Sequence, residues 1–179
     1  MSFLRRLLGR GPRIEAHTLG VLDLSGGTAG ALMATDRAAL APLFRRVSES
    51  ADAPPRSTLL LIYCTIAADG AILNSPRTLR EIIRDAGAPV VVVATPNPGK
   101  SYTLASNRHK PLARANLVMT LDRKGEAFAH FFHRLVADMK HGTSMPRAWM
   151  KLAPQNPQAA HSDCPEAIFA CELGKLAFS

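Results

Sequence analysis

Four valines at 90–93 run into a polar loop that holds the most chemically suggestive spacing in the chain, Ala94-x4-Gly99-Lys100-Ser101. This is the loose form of a phosphate-cradling loop, which works by pointing backbone N–H groups at phosphate oxygens while glycines turn the chain tightly. Here Pro96 and Pro98 each remove an N–H from a loop whose task is donation. The segment after Ser101, YTLASNRHKP, is a poor helix broken by Pro111, so a phosphate would lack a facing helix dipole. ANLVMTLD (115–122) has the form of an apolar strand ending in a magnesium-holding aspartate, but it follows too soon for the usual intervening elements. A nucleotide- or phosphate-binding domain using Lys100 and Ser101 is the weakest of three readings.

Thiol chemistry is the second. Cys64 closes the apolar run TLLLIYC (58–64), a plausible exit point for a nucleophile. A cysteine nucleophile needs a base or a cation to form its thiolate. His109, Lys100 or Arg108, in the loop after the next strand, could supply one. With His109 as base this would be a cysteine peptidase or another thiol hydrolase. The plainer assignment makes Cys64 a small buried apolar side chain, the usual state of free cysteine. His130 and His133 sit three apart beside an apolar helix face, and His161, Cys164 and Cys171 are spaced H-x2-C-x6-C. Neither set closes a four-ligand pattern, so neither a metal nor a cofactor is expected.

The elements that must position these residues alternate along the chain. TLGVLDL (18–24) predicts a strand ending in Ser25-Gly26-Gly27, and Leu40, Leu43, Phe44 and Val47 recur at helical spacing after Thr35-Asp36. Pro42 would fall in the first turn of that helix, and SESADAPPRS (48–57) reads as a loop. TLLLIYC and PVVVVAT (89–95) read as strands buried on both faces, with ANLVMTL (115–121) the next. Ser75-Pro76 predicts a helix start, Leu79, Ile82, Ile83 and Ala86 its stripe, and Gly87 its stop. A helix over 125–140 carries Phe128, Phe131, Phe132, Leu135, Val136 and Met139 on one face. A second, capped by Ser144, carries Ala148, Trp149 and Leu152, and AIFACEL (167–173) supplies a last strand.

Such alternation predicts a three-layer α/β/α domain with a mostly parallel sheet. In open sheets of this kind ligands bind beyond the carboxyl ends of the strands. Loops 25–27, 65–70 and 95–114 would bring Cys64, Asp69, Asn97, Lys100, Ser101, Tyr102 and His109 to one rim, with Asp69, Asn97, Lys100, Ser101 and Tyr102 as its ligand-binding side chains.

The chain of 179 residues, 47% hydrophobic and 20% charged, suits one globular domain over 15–179, preceded by a basic amphipathic arm over 1–14. No apolar run approaches the roughly 20 residues that span a bilayer. In the arm, Phe3, Leu4, Leu7 and Leu8 can stand opposite Arg5, Arg6 and Arg10, a weak membrane-surface contact through residues 1–10. The net charge is +8, and no acid occurs between 85 and 122, where Lys100, Arg108, Lys110 and Arg114 lie. Such a loop suits phosphate, an acidic protein surface or nucleic acid. A protein partner is the expectation here, and nucleic acid the less favoured one. Three cysteines without framework spacing, and a start lacking the apolar core of a secretory signal, point to free thiols in the cytoplasm.

The order of strand, ADGAIL turn, capped helix, GAPVVVVAT strand, ANLVMTL strand and EAFAHFFHRLVADMKHGTSMPRAW resembles a CHAT domain, of caspase-like fold. Phe131, Phe132, Leu135, Met139, Gly142, Ser144, Pro146 and Ala148 resemble the family's closing helical unit, and the likeness covers roughly 58–152. Peptidase members carry His-Gly at the end of one strand and cysteine at the end of the next. With TLLLIYC as the histidine strand, those positions fall near Thr65 and Pro96. With Cys64 as nucleophile, the histidine position holds Ser25-Gly26-Gly27, and His17 lies at the far end of that strand, roughly 20 Å away at about 3.3 Å per residue. Either register breaks the dyad. The resemblance implies a degenerate, non-proteolytic member, a pseudoenzyme acting as an interaction or regulatory module.

Overall fold

The computed structural model describes residues 13–14, 18–98, 100–101, 104–105, 116–120, 127–152, 167–171 and 177–178. In chain order the strands are β1 (Arg13–Ile14), β2 (Thr18–Asp23), β3 (Arg46–Ser50), β4 (Leu59–Tyr63), β5 (Val90–Val93), β6 (Asn116–Thr120), β7 (Ala167–Cys171) and β8 (Ala177–Phe178). The helices are α1 (Gly30–Leu40), α2 (Leu79–Ala86), α3 (Ala127–Lys140) and α4 (Met145–Leu152). One six-stranded sheet runs β3-β2-β4-β5-β6-β7, parallel throughout except for the antiparallel pair β6/β7, and β1 pairs with β8 separately.

The uniformly apolar strands follow from a sheet covered on both sides. Successive side chains point to opposite faces, so a strand buried on both must be apolar at every position. All five residues of β4 and all four of β5 are buried. Leu19, Val21, Leu59, Leu61, Tyr63, Val90 and Val92 meet one helical layer, where α3 contributes Phe128, Phe131, Phe132, Leu135, Val136 and Met139 and α4 contributes Met145 and Ala148. Leu22, Leu60, Ile62, Cys64, Val91 and Val93 meet the other, where α2 contributes Leu79, Ile82, Ile83 and Ala86. The molecule is a three-layer α/β fold with a mostly parallel sheet.

Two local expectations are corrected. The helix placed around Leu40–Val47 spacing lies earlier, at Gly30–Leu40, and gives way to a 3-10 turn at Ala41–Leu43. Pro42 lacks the N–H that would bond the carbonyl four residues back, and Phe44 is extended at φ −123° and ψ 149°. Val47 then pairs with Leu19, so β3 occupies the start of the segment read as loop 48–57. The second correction concerns α2, which starts at Leu79, four residues after Ser75. Its N-cap is Thr78, whose hydroxyl accepts from the Glu81 N–H while Glu81 Oε2 accepts from the Thr78 N–H at 2.8 Å. This reciprocal box outcompetes Ser75-Pro76 because it satisfies two otherwise free donors. Gly87 ends the helix at φ 58°.

Candidate functional site

The chain leaves β2 for β3 on one side and returns to β4 on the other, so the topological switch point lies between the carboxyl ends of β2 and β4. The loop after β2 is closed on itself. Asp23 Oδ1 accepts from the Ser25 N–H at 2.8 Å and from its hydroxyl at 2.5 Å, and Ser25 Oγ accepts from the Ala29 N–H at 3.0 Å. Gly26 and Gly27 turn the chain at φ 66° and 87°, a region that disfavours side chains. A Cβ on Gly26 would lie 3.0 Å from Asn74 Nδ2, so the loops after β2 and β4 touch across the switch point.

The loop after β4 is a tight reversal. Ile66 bridges Ile72, and the Ala67 N–H donates to Ala71 O at 2.8 Å. Asp69 Oδ1 accepts from the Ala71 N–H at 3.0 Å. Gly70 sits at φ 85°, and a Cβ there would lie 2.7 Å from the Ala105 backbone nitrogen. That contact fixes the helical residues 104–105, beyond β5, against this turn.

A buried polar knot ties the ends of β4 and β5. Thr95 Oγ1 accepts from the Cys64 N–H at 3.0 Å and donates to Cys64 O at 2.6 Å. Asn97 Oδ1 accepts from the Ile66 N–H at 2.7 Å, while its amide nitrogen donates to Cys64 O at 3.2 Å and Thr95 O at 3.1 Å. Asn97 is therefore a buried structural clamp, whereas the sequence placed it among ligand-binding side chains. Lys100 and Ser101 are both helical, the lysine exposed and the serine buried. Asp69 is exposed on its turn. Tyr102 and His109, with Arg108, Lys110 and Arg114, lie outside the described residues.

Cys64 is wholly buried, with Leu22, Leu60, Ile62, Ile66 and Val93 in the same apolar cluster. Burial pushes its thiol up to about 12 from the ordinary value of 9.0. A catalytic thiol needs the opposite shift and a path to solvent. The described histidines do not change this: His130, His133 and His141 lie on or just after α3, which packs on the other face of the sheet. The side chain has the properties of a core residue, and the nucleophile assignment finds no support at this position. The adjoining strand ends carry Thr65 and Pro96, both exposed.

Among the described residues no group of three or more His, Cys, Asp or Glu could hold a metal ion. His161 and Cys164 lie outside them, and Cys171 ends β7. No described helix is long and apolar enough to cross a membrane. Residues 1–12 of the basic arm lie outside the described residues.

One buried polar pair was missed from sequence. The Tyr63 hydroxyl, at the end of β4, donates to Oδ2 of Asp36 on α1 at 2.6 Å, both residues fully buried. A tyrosine inside an apolar strand signals that its hydroxyl needs a partner, but nothing local says which residue supplies it. Comparison with family models, curated proteins and solved structures finds no match to this chain.

Proposed function

We propose that the chain is a degenerate CHAT-like domain of caspase-like fold, without peptidase activity, acting as an interaction or regulatory module with a protein partner in the cytoplasm. One observation carries this reading. The resemblance assigns the family's dyad to the ends of successive strands, and in this sheet those strands, β4 and β5, are direct neighbours joined through Thr95 and Asn97. At the two positions stand Thr65 and Pro96, which offer neither a base nor a nucleophile of that type. The nearby thiol, Cys64, is turned into the core and held protonated. Strand ends tied by these hydrogen bonds, with neither dyad side chain at the two positions, support the non-proteolytic reading.

Alkylation tests this directly. With its thiol pushed to about 12, Cys64 exposes on the order of one thiolate in 10⁵ at pH 7 and should resist iodoacetamide in the folded chain. Peptide mapping by mass spectrometry should find Cys64 labelled only after unfolding in urea. Rapid, selective labelling of Cys64 in the native chain at neutral pH would sink the non-catalytic reading and restore the thiol hydrolase.

A further inference from the structure

We propose that the outer face of the α3–α4 hairpin is a docking surface for an acidic, amphipathic segment of a partner protein. The inference goes beyond the strand-end reading and stands on different residues.

With its aromatic stripe committed to the sheet, α3 turns His130, Arg134 and His141, just past its end, toward solvent. In the same way α4 buries Met145 and Ala148 and exposes Arg147, Met150 and Lys151. On the solvent side the two helices are joined by Lys151 Nζ, 2.9 Å from Asp138 Oδ2, while on the buried side Trp149 packs edge-on against Phe131 at 4.6 Å. Asp138 is the sole acid of 127–152 and is already held by that lysine. Arg134 and Arg147 have no ion pair among the described residues.

Met150 sets the kind of partner. It is 70% exposed and, with Leu73, one of two large apolar side chains exposed among the described residues. Methionine and arginine are both enriched in protein interfaces, the thioether as an adaptable apolar anchor and the guanidinium as a planar fork matched to carboxylates. A phosphate backbone would use the charges but has no use for the thioether. A second copy of the chain would bring the same positive face and its own net charge of +8, which opposes self-association here. A segment carrying carboxylates beside a leucine-like side chain complements both features.

Fluorescence anisotropy of the full chain with a labelled Glu/Leu peptide, patterned as an amphipathic helix, tests this. Saturable binding is expected, weakened at least about tenfold by Arg134→Glu with Arg147→Glu and about threefold by Met150→Ser. Arg56→Glu with Arg84→Glu makes the same change in net charge away from this face and should alter affinity less than about twofold. All four side chains that are reversed are exposed, so thermal unfolding midpoints should stay close to that of the parent chain. Equal losses in the two double variants would overturn the proposal, leaving attraction by net charge alone. So would tighter binding of a single-stranded oligonucleotide or an anionic vesicle through the same arginines, or no saturable peptide binding. None of these outcomes bears on Cys64 labelling, so the two readings fail separately.

Discussion

Three backbone groups converge on the amide of Asn97, the N–H of Ile66 and the carbonyls of Cys64 and Thr95. Replacing it with alanine leaves buried polar groups without that partner, at about 1–3 kcal/mol each for those left wholly unsatisfied. Cys64 O keeps its bond from Thr95, so Asn97→Ala should cost about 2–4 kcal/mol in a urea titration, with no change in the slope of the transition. A loss under about 1 kcal/mol would show that water or neighbours replace the amide. Cys64 gives a pH signature instead. Below about pH 9 the thiol is protonated in both states; between about 9 and 12 only the unfolded thiol ionises. The unfolded state then binds fewer protons, so stability falls as pH rises through that window. Cys64→Ala should be less stable at neutral pH but lose less between pH 9 and 11 than the parent chain, read from urea midpoints at each pH. At this scale the sequence was only half legible. That Cys64 would be a core thiol could be anticipated from its apolar run, but the role of Asn97 could not. A polar residue in a loop looks alike whether it faces a ligand or backbone, and only the tertiary approach of residues 64–66 decides.

Elements were legible where periodicity was unbroken. α3 and α2 announce themselves through complete apolar stripes, and β4 and β5 through runs with no polar member. α1 does not, because only Asp36 and Leu40 of its residues are buried and the segment GALMATDRAAL has no stripe to detect. The apolar residues after it, Leu43, Phe44 and Val47, mimic a helical period while serving a turn and an edge strand. At the rim, one glycine decides how two elements meet. Gly70→Ala puts a methyl 2.7 Å from a backbone nitrogen at a φ of 85°, and neither backbone can retreat cheaply. The expected cost is about 2–4 kcal/mol, combining left-handed strain with overpacking. It should come with faster amide hydrogen exchange in residues 66–72 and around 104–105. An unchanged exchange pattern would mean that the two segments move apart without consequence, and the rim would lose its fixed geometry as an argument.

The architecture of the whole molecule was the most legible level, since uniformly apolar strands alternating with amphipathic helices leave few arrangements besides a covered parallel sheet. The antiparallel return of β7 was not, because one short apolar strand carries no sign of its direction. The sheet's two faces also differ in when their cover is made. β2 through β5 lie within residues 18–93, and so does α2, which shields Leu22, Leu60, Ile62 and Val91. The opposite face has only α1 and the turn after it, through Leu40 and Phe44, until the aromatic stripe of α3, which begins at Ala127. A ribosome adding about 5–20 residues per second therefore leaves Leu59, Leu61, Tyr63, Val90 and Val92 without that cover for roughly two to seven seconds. A nascent chain of this protein is a sticky half-sandwich for that interval, and a chaperone meeting it would grip the side that the mature fold later closes with phenylalanine.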